Sequence, residues 1–294
     1  MSCRLLTLFF LTTATILGQQ YVPNLRQPVA IDRHPRGDLY VLTARGDILE
    51  LGLQTSNLGK LRLIRQVAFS KDSFGSRGAD LVAALVNDEE QIFVSALAGD
   101  NGLIRRYDLD GQQLEVYRVP FLGAGFDIDV NGHRLFVANS LTNEIASIDL
   151  ISGRAAIFTK VEGGHNLGPL VVSLGKGSLF VADQRTGVVI EVAMRDGQTK
   201  GSVTSVEIPV ALAFDEQYQT LFVANAQNGE IVRASVGARN RILKPIETNL
   251  RTVTGVAPGP LGSVFVADAD TLAVYNISVD GKLLHKWSIG GMLD

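Results

Sequence analysis

Residues 135–139 read LFVAN, and the pentad returns as LFVAD at 179–183 and LFVAN at 221–225. Looser copies stand at 264–268 (VFVAD), 92–96 (IFVSA) and 39–43 (LYVLT), six in all. The aromatic second letter, at Tyr40, Phe93, Phe136, Phe180, Phe222 and Phe265, recurs after 53, 43, 44, 42 and 43 residues. Periods of roughly 40 to 50 residues belong to propeller blades or to paired-helix repeats. Composition separates the two. Thirty glycines in 294 residues would each cost a helical solenoid about 1 kcal/mol wherever one fell inside a helix. Glycine turns between short runs of Val, Ile, Phe and Thr suit β-structure.

One unit, GFDIDVNGHRLFVANSLTNEIASIDLISGRAAIFTKV at 125–161, resolves under a period of two into strands over 126–130, 134–138, 144–149 and 155–160. The intervening NGH, SLTN and ISGR supply turn residues. A second ruler comes from the turn between the third and fourth strands, which requires a residue tolerant of positive φ. Glycine follows the aromatic there in every copy, at Gly59, Gly111, Gly153, Gly197, Gly237 and Gly281. Stacked in a line, such units leave apolar faces bare at both ends, whereas radial closure buries every one. The sequence therefore predicts an all-β, six-bladed β-propeller with four antiparallel strands per blade over 28–289, its recurrent aromatics facing the next blade. The polar letter that ends the pentad, Asn139, Asp183, Asn225 or Asp268, with Thr43 and Ala96 in the other copies, reads as a cap on the following turn.

PVAIDRHPRGDLYV at 28–41, PVALAFDEQYQTLFVAN at 209–225 and GVAPGPLGSVFVAD at 255–268 resemble NHL-type propeller repeats, and blade three is similar to the YVTN repeat. The resemblance covers 28–288, and the count of six points to the NHL and gluconolactonase-like neighbourhood. In gluconolactonase-type enzymes a divalent cation such as Ca²⁺ is held by a Glu, two Asn and an Asp from different inner strands. On that likeness, HNLGP makes Asn166 a possible ligand, Gln27 stands where the Glu would be, and Asp80 or Asp127 would have to substitute for the missing acid.

MSCRLLTLFFLTTATILG, residues 1–18, has one basic residue, an apolar run and a small final residue, the pattern of a secretory signal peptide. The apolar run is shorter than the roughly 20 residues of a membrane span. The expectation is a chain exported to the periplasm or extracellular space, with a segment at 19–27 before the propeller, a tail at 290–294 and no membrane insertion after signal removal. The one cysteine, Cys3, falls within the leader, so neither disulfides nor a thiol nucleophile is expected. A net charge of −3 and a pI near 5.8 give no basic footprint for nucleic acid. His34, His133 and His285 read as surface residues, and no paired-histidine zinc motif is present.

Irregular loops on a repeating scaffold carry function. The longest interval, the 34 residues from Gly59 to Phe93, contains AFSKDSFGSRGAD. Polar residues leading into the inner strands, Arg77, Asp80, Asp127, His165 and Asn166, are the candidate ligand-binding set at the channel mouth. Without a nucleophile elbow, phosphate loop or cofactor motif, the leading expectation is a non-catalytic binding module for a protein partner or small molecule. The alternative is a metal-dependent lactonase of the gluconolactonase type.

Overall fold

Blade three forms as its periodicity predicts, with strands at Gly123–Asp129, Arg134–Asn139, Glu144–Asp149 and Ala155–Lys160. The structure, a computed structural model, describes residues 27–53, 61–66, 80–98, 101–121 and 123–289. The expectations that rest on 1–18, on most of the 19–27 segment, on Gly59, on Arg77 and on 290–294 lie outside the described residues.

In chain order, blade one is β1 (Pro28–Arg33), β2 (Leu39–Thr43), β3 (Asp47–Leu51) and β4 (Leu61–Gln66). Blade two is β5 (Leu81–Val86), β6 (Glu89–Ala98), β7 (Asn101–Asp108) and β8 (Gln113–Arg118), and blade three holds β9 to β12 at the bounds given above. Blade four is β13 (Leu167–Ser173), β14 (Ser178–Asp183), β15 (Val188–Ala193) and β16 (Thr199–Ser205). Blade five is β17 (Pro209–Asp215), β18 (Thr220–Asn225), β19 (Ile231–Ser235) and β20 (Arg241–Ile242). Blade six is β21 (Val253–Pro258), β22 (Val264–Asp268), β23 (Ala273–Ile277) and β24 (Leu283–Ser288). Each is a four-stranded sheet of consecutive strands, antiparallel throughout. The protein is a six-bladed β-propeller, and its one helical element among the described residues is a 3₁₀ turn at Pro260–Gly262.

The six aromatics are the seals between blades. Each is at most 1% exposed, and each packs in a cluster shared with the blade that follows. Tyr40 meets Leu81 and Ile92 of blade two; Phe93 meets Phe126 and Leu135; Phe136 meets Leu170 and Leu179. Phe180 lies with Phe214 and Leu221, its ring stacked on Phe214 at 5.2 Å, and Phe222 lies with Val256 and Val264. Phe265 closes the circle on Ile31, Leu39 and Val41 of blade one. Two polar contacts reinforce the closure: the Thr254 hydroxyl donates to the Pro28 carbonyl at 2.9 Å, and the Arg33 guanidinium to the Pro258 carbonyl at 3.4 Å.

The polar letter of the pentad caps as expected. Asn139 accepts from the Leu141 N–H at 3.0 Å, and Thr43 from the Asp47 N–H at 3.1 Å. Asp183, Asn225 and Asp268 do more. Besides binding their own turn, they accept main-chain N–H groups of His165, Ile208 and Thr252, the residues that lead into the inner strand of the same blade. One side chain thus fixes the turn after the second strand and the approach to the first.

Among the described residues the glycine ruler holds with one exception. Gly111, Gly153, Gly197 and Gly281 have φ between 69° and 84°, whereas Gly237 does not have positive φ. In blade five the fourth strand has shrunk to two residues, and the Gly237 N–H donates to the Asn240 side chain in an open loop instead of closing a tight hairpin. His34 also departs from expectation, being buried at 2% exposure. The turn after β1 folds it back edge-on to Tyr40, with ring centroids 6.2 Å apart, and the Arg36 N–H donates to its Nδ1 at 3.1 Å. Burial holds its imidazole below the usual histidine range, with the Glu90 carboxylate pulling the other way. His133 is half-buried in its turn and His285 is exposed on β24.

Two substitutions test this reading. Phe180→Ala should lower the unfolding free energy by about 3–5 kcal/mol, read by urea denaturation. Gly197→Val should cost more than about 1 kcal/mol, because φ is +73° and a Cβ would stand 2.6 Å from the Thr159 Cβ of blade three. An unchanged midpoint for either variant contradicts the packing described.

Candidate functional site

The inner strands β1, β5, β9, β13, β17 and β21 surround an axial channel with two cavities. The front cavity, about 370 Å³, opens where the inner strands begin, beside Gln27, Ile208 and Thr252. The back cavity, about 250 Å³, opens where they end, beside Arg33, Leu174 and Glu216. Ile31, Asp80, Leu170, Leu212 and Val256 line both and form the belt between them.

Three carboxylates stand in this channel on adjacent blades, and each spans an inter-blade seam. Asp32 of β1 accepts from the Ala83 N–H of β5 at 2.8 Å. Asp127 of β9 accepts from the Val172 N–H of β13 at 2.7 Å. Asp80, at the start of β5, accepts from the Phe126 N–H of β9 at 3.5 Å. The second oxygen of each takes the N–H of its own next residue, Arg33, Ile128 or Leu81, at 2.7–2.9 Å. Main-chain donors are therefore tied across the first three seams by ionisable staples. The register positions equivalent to Asp32 and Asp127, opposite the sealing aromatic, are Val171, Ala213 and Ala257 in blades four to six. At that register blades one and three carry acids and the other blades, with Val82 in blade two, carry aliphatic side chains; Asp80 stands two residues before Val82.

Burial raises all three acids. Asp127 is pushed up to about 7 by burial and the Asp80 charge, against the hydrogen bonds from Val172 and Ile128. Asp80 is pushed up to about 6 by burial, which outweighs the Leu81 and Phe126 N–H groups. Asp32 lies well above the usual carboxylate range through burial and the Asp127 charge.

Of the sequence-derived set, Asp80 and Asp127 line the channel, Arg77 lies outside the described residues, and His165 and Asn166 do not line either cavity. Both are exposed on the segment before β13. The His165 ring is held by Asp183, Nδ1 to Oδ2 2.9 Å. Burial pushes the Asp183 carboxyl up, but bonds from the His165 ring and from the Arg185 and Thr186 N–H groups outweigh it and hold it below the ordinary aspartate value. The Asn166 carbonyl accepts from the Gln184 N–H at 2.8 Å, and Gln184 rather than Asn166 lines the front cavity. Asp32 was missed because PVAID reads as ordinary repeat; the available signal was a carboxylate in the same register as Asp127.

The divalent-cation set implied by the gluconolactonase likeness does not fit this geometry. Gln27 and Asp80 line the front cavity and Asp127 the back cavity, while Asn166 lines neither, so the four do not meet at one point. Among the described residues no group of three or more His, Cys, Asp or Glu side chains is placed to hold a metal ion.

No family model matches the chain, and no curated protein matches it. Solved structures do. A chain of a nidogen/laminin complex superposes with a TM-score of 0.66 at 15% identity, covering 83% of this chain and 90% of that one. A streptogramin B lyase superposes at 0.63 and 12% identity, covering 91% and 84%. The virginiamycin B lyase of Staphylococcus aureus, in an inactive variant with quinupristin, superposes at 0.60 and 14%, covering 91% and 86%. At such identities the likeness is one of fold, and the fold is the β-propeller. Among the described residues no helix is long and apolar enough to cross a membrane.

The raised acids set a pH dependence. A carboxyl whose folded pKa is raised gives stability that is full below its unfolded value, near 4. That stability is lost as pH rises through about 6 for Asp80 and about 7 for Asp127. Unfolding free energy should therefore fall between pH 5 and pH 8, and Asp127→Asn should flatten that fall by on the order of 1–3 kcal/mol whatever its absolute midpoint. Equal slopes for variant and wild type would show that Asp127 ionises in the folded chain as it does unfolded.

Proposed function

We propose that the protein is an exported, non-catalytic binding module whose ligand enters the front cavity. The observation that carries this reading is the cavity itself. Its volume of about 370 Å³ falls within the range of small-molecule sites, and its composition, aliphatic walls with a few polar groups, is the usual one. Val29, Ile208, Val210, Leu212, Val253 and Val256 supply the walls, with Gln27, Gln184, Thr252 and Thr254 as neutral hydrogen-bonding groups. The carboxylates, the channel's most chemically suggestive residues, have their oxygens directed to main-chain N–H groups across blade seams. That use suits a structural role better than nucleophilic or acid–base work. Related folds host both kinds of function: one similar chain comes from a protein–protein complex and others are lyases.

Ligand-observed NMR against a library of small amphiphiles tests the reading. Hits should compete with one another and be weakened at least about tenfold by Ile208→Trp at the rim, in a protein whose circular dichroism is unchanged. Hits indifferent to that substitution would move the site elsewhere. In parallel, Ca²⁺, Mn²⁺ and Zn²⁺ should leave the melting midpoint unchanged and simple aldonolactones should not be hydrolysed. Metal-dependent turnover would replace this reading with a lactonase. N-terminal sequencing of protein secreted by a heterologous host tests the export half, with cleavage expected near Gly18.

A further inference from the structure

We propose that the ligand of the front cavity is a primary alkylammonium, its ammonium on Asp80 and its chain along the aliphatic wall of blades five and six. This deepens the binding-module reading and rests on it. Among the described residues Asp80 is the only charged group that lines the front cavity. Its position in the belt, shared by both cavities, places it at the floor, with aliphatic side chains between it and the mouth. The remaining polar lining is neutral, so a buried cation has one counter-charge and an anion has none.

The carboxylate has room for a further donor. Its Oδ1 takes the Leu81 N–H at 2.9 Å, but its Oδ2 is approached by the Phe126 N–H only at 3.5 Å, the longest of the three inter-blade contacts. A carboxylate accepts about four hydrogen bonds, and an ammonium offers up to three donors from one compact centre. A guanidinium needs both oxygens free and side by side to form its paired contact, and here Oδ1 is already bonded. The wall formed by Val210, Leu212 and Val256 offers nothing to a second polar group, so the part of the ligand that runs along it is hydrocarbon.

The test titrates the full chain at pH 8 and low salt with 1-hexylamine, 1-hexanol, hexanoate and hexylguanidine by isothermal calorimetry. Hexylamine is expected to bind at least roughly tenfold more tightly than hexanol or hexylguanidine, and hexanoate not to bind. Asp80→Asn should bring hexylamine down to hexanol. Should that variant fail to fold, Ile208→Trp, which leaves Asp80 untouched, should weaken hexylamine and hexanol together. Equal binding of hexanol and hexylamine to the wild type would overturn the ammonium assignment while leaving an apolar binding cavity. Preference for hexanoate or hexylguanidine would overturn it as well. Absence of binding by all four would remove both this inference and the cavity reading beneath it.

Discussion

Everything in this molecule depends on one contact repeated around a ring, the aromatic of each second strand pressed into the blade that follows. A four-stranded sheet with one face against its neighbour still has another face to cover, and only closure covers them all. Phe265 against Ile31, Leu39 and Val41 is the contact that turns a row of blades into a circle. Each fully buried aromatic contributes roughly 1.5–3 kcal/mol of apolar burial, and the contribution is cooperative because losing one seal exposes both faces of a seam. The positive-φ glycines and the Asx and Thr caps serve the same end, since they hold each hairpin in the register that aims its aromatic at the next blade.

Closure also makes the channel, and the channel inherits an asymmetry. Where blades one to four meet, Asp32, Asp80 and Asp127 tie the main chain of one inner strand to the next. The register position of Asp32 and Asp127 carries Val82 in blade two and Val171, Ala213 and Ala257 in blades four, five and six, and the last seam uses the Thr254 hydroxyl instead. The acids are costly where they stand, as their raised pKa values express, and three like charges converging on one axis raise that cost further. The same arrangement yields a channel with a hydrocarbon side and an anionic side, a polarity that the repeat alone does not require.

The fold was legible because its determinants are periodic. Six aromatics and the glycines that follow them count blades without any three-dimensional information, and the strands of blade three lie where period two places them. What escaped was whatever depends on contacts between blades or on how a turn folds back onto its own blade. Asp32 looks like any repeat residue until β1 is set beside β5. His34 sits in a polar stretch, RHPRG, and its burial under the β1–β2 turn follows from how that turn folds onto Tyr40, which local sequence does not encode. Gly237 kept its place in the ruler although its hairpin had opened. His165 and Asn166 stood out as irregular polar residues before an inner strand, yet their backbone serves Asp183 and Gln184, and it is the unremarked Gln184 that reaches the cavity.

The chain contains a single tryptophan, Trp287 on the outer strand of blade six, packed against the cluster that joins blade six to blade one, its ring centroid 6.1 Å from that of Phe265. Its fluorescence therefore reports on closure, while far-UV circular dichroism reports on all six sheets. Followed together through a urea titration, the two signals should change in one coincident transition, because the sheets and the ring are lost together. A tryptophan transition complete at lower urea, with the β-signal intact, would mean that the blades stand without the seal between the last and the first, and would contradict the account.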